Sequence, residues 1–75
     1  MSHSDAEKIH LFVNEIFERI NDILFVVNNT ADSEIKKNTQ VVLGNVIAAL
    51  DIDLLEPIYK RFPDLRPPEM EELKN

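Results

Sequence analysis

The feature that most constrains this chain is a run of aliphatic residues near its start. Ile9, Val13, Ile16, Ile20, Ile23 and Val27 are separated alternately by four and three positions. That alternation is the period of an α-helix, and it gathers these side chains on one stripe, whereas a strand would scatter them over both faces. The sequence SDAE, from Ser4 to Glu7, has the form of a capping box, with the Ser4 hydroxyl and the Glu7 carboxylate satisfying reciprocal backbone N–H groups. A first helix is therefore expected over about residues 5–28. Ala6, Phe12, Phe17 and Leu24 widen its apolar stripe to an arc of about 140°, more than one partner helix covers.

The sequence NNTADSE supplies a helix C-terminus at Asn28 or Asn29 and a choice of N-caps in Thr30, Asp32 and Ser33. A second helix follows over about residues 33–50. On it Ile35, Val42, Val46 and Ala49 share one face, which Leu43, Ile47 and Leu50 widen. Gly44 inside this helix points to a close approach by another helix, since glycine there otherwise costs about 1 kcal/mol. The short link makes the two helices antiparallel neighbours, and a turn centred between Asn29 and Asp32 sets side by side residues whose numbers sum to about 61. Helix 2 is expected to stop near Asp51. The sequence DLLE, from Asp53 to Glu56, reads as a second capping box opening a short third helix over about residues 54–62, which Pro63 ends. Residues 63–75 read as an extended or weakly helical tail, and the whole as one all-α domain, an antiparallel helical hairpin plus a short third helix.

Such a chain needs support. A core built from 75 residues supplies only about 3–5 kcal/mol of net stability, and without cysteine no disulfide or thiolate metal site can supplement it. In the expected register the cluster ILFVV, residues 23–27, lies opposite the largely polar SEIKKN, residues 33–38. Ile16, Ile20, Ile23, Leu24, Phe25 and Val27 are thus the expected interface of a homodimer in which two hairpins form a four-helix bundle. The competing cover is the chain's own tail, through Leu65 and Met70.

The formal charge of −6 argues against nucleic acid and against an anionic membrane surface as partners. No apolar run approaches the roughly 18 residues of a spanning helix, and the polar start MSHSDAEK does not read as a secretory signal, so a cytoplasmic location is expected. Glu7 and His10 have the Glu-x-x-His spacing of carboxylate-bridged metal bundles, but no second such pair exists and Glu7 falls on the polar side. No metal, no cofactor and no catalytic group is expected, because Ser2, Ser4 and Ser33 are accounted for as terminus or caps.

The stretch LDIDLLEPIYKRFPDLRPPE, from Leu50 to Glu69, mixes aromatic, aliphatic and basic side chains in the manner of an interface. Leu54, Leu55, Ile58 and Phe62 are expected to close the hairpin as a lid. Tyr59, Lys60, Arg61, Leu65 and Arg66 are the expected contacts to a protein partner. The sequence therefore reads as a non-enzymatic protein–protein interaction module, a regulatory, adaptor or accessory subunit. The alternative is an acidic inhibitor, such as an immunity protein or antitoxin, presenting Glu7, Glu15, Glu18 and Asp22 to a basic toxin surface.

Overall fold

The computed structural model describes residues 1–67. It is all-α, with two long helices and no strand among the described residues. Helix α1 spans His3–Asn28 and α2 spans Ser33–Ala48. A π-helical segment, Ala49–Leu55, leads into α3, Glu56–Arg61, and a 3₁₀ turn follows at Pro63–Leu65. The expected course of the tail through Met70 lies outside the described residues.

Helix α1 begins a little earlier than its sequence motif implies. Ser2, not Ser4, is the cap, its hydroxyl accepting the Asp5 N–H at 3.1 Å. The added residues place His3 in the first turn, where it meets Glu7 at 3.9 Å and Asp64 at 2.6 Å. At the start of α2 the Asp32 carboxylate accepts the Ile35 N–H at 3.0 Å, one of the caps expected there.

Residues along α1 meet the later chain in reverse order. Asn28 accepts from Gln40, Val13 packs with Leu55 and Tyr59, His10 bonds Tyr59, and His3 bonds Asp64. The hydrogen-bonded pairs have numbers summing to between 67 and 69, not 61, a slip of about two helical turns. Helix α2 has no fully buried residue, and Ile35 is 55% exposed.

The second correction is that helix 2 does not stop at Asp51. The backbone stays in the right-handed helical region at Ala48, Ala49, Leu55 and Glu56, and no side chain caps a new start at Asp53. Pro57 explains why the turn widens instead. In an α-helix its ring would strike the carbonyl four residues back and leave that oxygen unpaired, whereas an i→i+5 turn, with the Glu56 N–H donating to the Asp51 carbonyl, relieves the clash and keeps the helix running. The extra residue per turn also shifts the inward face. Leu43, Ile47 and Leu50 are half-buried at α-helical spacing, and the next inward residue is Leu55, at 2% exposure, while Leu54 faces out at 38%.

The core therefore sits between the N-terminal half of α1 and the segment after the π turn. Val13, Leu55 and Tyr59 form its centre, with Ile9, Phe17, Leu50 and Leu65 packed against them. Ala6, Ile20 and Ile58 complete the buried set. The segment from Leu55 to Tyr59 thus supplies the buried side chains that close on Val13, while α2 runs beside α1.

Gly44 corrects a further expectation. A Cβ built there meets nothing within 4 Å, so no helix approaches it closely. Gly44→Ala should raise stability by about 0.5–1 kcal/mol, read as a higher urea midpoint, because it only removes glycine's unfolded-state entropy from an open helical position.

Candidate functional site

Two features stand out once the helices are in place. The first is a junction joining the chain's early and late residues, and both histidines of the sequence lie in it. His3 Nε2 is 2.6 Å from Asp64 Oδ2, and its ring stands edge-on to Phe62 at 5.6 Å. His10 Nδ1 is 2.7 Å from the Tyr59 hydroxyl, and the Asn14 amide donates to His10 Nε2 at 3.2 Å. With Nε2 accepting, the imidazole proton lies on Nδ1 and is donated to Tyr59. Arg66 bonds both Glu56 oxygens, at 2.8 and 3.3 Å, and lays its guanidinium 5.3 Å from the Tyr59 ring centre. Burial raises the Tyr59 hydroxyl pKa above its ordinary 10.0, and the Asp51 carboxylate adds to the effect.

The charges of the His3–Asp64 pair support each other. Its hydrogen bond to Asp64 raises the His3 pKa above 6.5, and the same bond lowers that of Asp64 below 3.8. The stability His3 contributes is present in full below its unfolded pKa and is lost as pH rises through the raised folded value. The Asp64 contribution is present above 3.8 and lost as pH falls through the lowered folded value. Comparison of melting temperatures should show the wild type exceeding Asp64→Asn most near about pH 5–6, with the gap closing by about pH 9. Because both groups are solvent-exposed, the shift should be small and should shrink with salt.

This junction uses up most of the expected partner contacts. Tyr59 is 2% exposed, its ring packed on Val13 and its hydroxyl on His10, so it cannot present a docking surface. Leu65 packs against the core, and Arg66 is held by Glu56 and Tyr59. Lys60 and Arg61 remain exposed. His10 is engaged with Tyr59 and Asn14, and no group of three or more His, Cys, Asp or Glu among the described residues is placed to hold a metal ion. Of the four acidic residues considered as an inhibitor face, Asp22 pairs with Arg19 at 3.0 Å and Glu7 lies beside His3.

The second feature is an apolar face that sequence periodicity blurred. Ala6, Val13 and Ile20 mark the inward line of α1; Phe12, Ile16 and Ile23 lie about 60–100° to one side of it at 100° per residue. Along α2 the half-buried Thr39, Leu43, Ile47 and Leu50 mark the inward line, and Ile35, Val42 and Val46 lie about 55–95° away in the same rotational sense. Because the paired contacts run in reverse order, equal rotational offsets on the two helices point to the same broad side. The opposite side carries Asn14, Asn21, Asn28, Gln40 and Gly44, and the 2.8 Å bond from Gln40 to Asn28 spans the two helices there.

The six apolar side chains are 60%, 43%, 45%, 55%, 49% and 38% exposed, in the order Phe12, Ile16, Ile23, Ile35, Val42 and Val46. Of the residues expected at a dimer interface, Ile16 and Ile23 thus belong to this open face. Ile20 is buried within the chain at 4%, and Leu24 and Val27 are half-buried. Phe25, 73% exposed, projects from the outer side of α1 together with Val26. Phe12 and the α2 residues were legible as apolar but not as one surface, since their juxtaposition depends on which stripe of each helix turns inward.

No helix among the described residues is long and apolar enough to cross a membrane. Compared with known protein families, with curated proteins and with solved structures, the chain matches none.

Proposed function

We propose that this protein is a non-enzymatic protein–protein interaction module, a regulatory, adaptor or accessory subunit working in the cytoplasm. In this reading α1 and α2 form an antiparallel helical hairpin that supplies half of a helical bundle, and two such halves make a four-helix bundle. The observation that carries it is the open face of Phe12, Ile16, Ile23, Ile35, Val42 and Val46, with α2 burying no residue of its own. Leaving several large aliphatic side chains in water forgoes about 1.5–3 kcal/mol each when fully exposed, a heavy loss for a chain whose core contains six buried side chains among the described residues. The radius of gyration, 14.9 Å, also exceeds the roughly 11 Å of a compact chain this long.

A photo-crosslinking residue at position 46, introduced into the protein in its native host, tests the reading. Illumination should give a protein adduct that the same probe at position 21, on the polar side, does not give. Absence of any adduct from position 46 would refute the module.

A further inference from the structure

We infer that the open apolar face is closed by a second copy of this chain. The inference rests on the interaction-module reading and names the occupant of its face.

Two observations select that occupant. The first is size. At the observed exposures the six side chains present on the order of 500 Å² of apolar surface, taking roughly 150–200 Å² for a fully exposed large side chain. A rim that includes Arg19 and Asn38 brings the face towards the roughly 800 Å² per partner of a stable interface, with the apolar share of about 65% found between identical subunits.

The second is charge. The stripe from Phe12 to Ile23 and the stripe from Ile35 to Val46 contain no ionised side chain, and Arg19, at the edge, is already paired with Asp22 at 3.0 Å. A neutral face offers nothing to steer an oppositely charged partner. Its complement is another neutral apolar face, and a copy supplies one of matching size while each chain's net charge of −6 stays on other surfaces.

Sedimentation equilibrium of the full chain over roughly 10–100 μM, with melting curves at both ends of the range, tests the inference. The wild type should sediment at twice its 8.7 kDa and melt at a higher temperature when more concentrated. Val42→Lys and Phe12→Lys, at positions that do not contribute to the buried core, should each shift the mass to that of one chain or weaken dimerisation at least tenfold. Asn21→Lys, on the polar side, should leave the dimer intact. A wild type that stays at 8.7 kDa and melts independently of concentration overturns the inference. So does a dimer that both face variants leave unchanged. A monomer whose position-46 probe still captures a different protein would sink the second copy alone, whereas a monomer without any adduct would sink the module as well.

Discussion

Tyr59→Ala should unfold the protein. Tyr59 is the largest fully buried side chain among the described residues. Its ring packs with Val13 and Leu55, its hydroxyl meets His10, and Arg66 lies over its face. Truncating a buried aromatic to alanine costs about 3–5 kcal/mol, which equals the whole stability expected of a core this small. Far-UV circular dichroism at 25 °C should show most of the helical signal gone. Tyr59→Phe separates packing from hydrogen bonding: it keeps the ring and loses only the His10 bond, for about 1 kcal/mol. If Tyr59→Ala melts within a few degrees of the wild type, the Val13–Leu55–Tyr59 cluster does not carry the stability of the core.

The second large effect concerns where the chain can be cut. Ending it after Ile52 removes Leu55, Ile58 and Tyr59, half of the six buried apolar residues among those described. The shortened chain should be unfolded or aggregated, because α2 has no buried residue with which to hold α1 by itself. Ending it after Pro63 should also be costly, although Leu65 and Arg66 were expected from the sequence to face a partner. That cut removes Asp64 from His3, Leu65 from the core and Arg66 from Glu56 and Tyr59. A loss of about 2 kcal/mol is expected, mainly from Leu65, with the exposed His3 pair adding little. Urea titration of the two truncations should therefore give no cooperative transition for the first and a lowered midpoint for the second. Equal midpoints for the second and the full chain would return the tail to a purely accessible role.

These residues also show how far the sequence could be read. The span of α1 and the start of α2 were legible because Ile9, Val13, Ile16, Ile20, Ile23 and Val27 repeat at one period, and because Asn28, Asn29 and Asp32 mark a boundary that local hydrogen bonding enforces. The scarcity of core, the absence of a cysteine staple and the excess of apolar side chains over what one hairpin can bury were legible for the same reason, being properties of composition and spacing.

What only the tertiary structure decided was the rotation and register of each helix. Helix α2 has two adjacent apolar stripes, Ile35, Val42 and Val46 beside Leu43, Ile47 and Leu50, and a period cannot say which turns inward. The choice falls to the second because the π turn before Pro57 moves the next inward residue from Leu54 to Leu55, so that Leu55 and Tyr59 can close on Val13. That closure slides the pairing by about two turns and leaves the first stripe facing out. A one-residue change in helical phase costs little locally but rotates everything beyond it by about 100°, so the competition is settled by packing between segments distant in the chain.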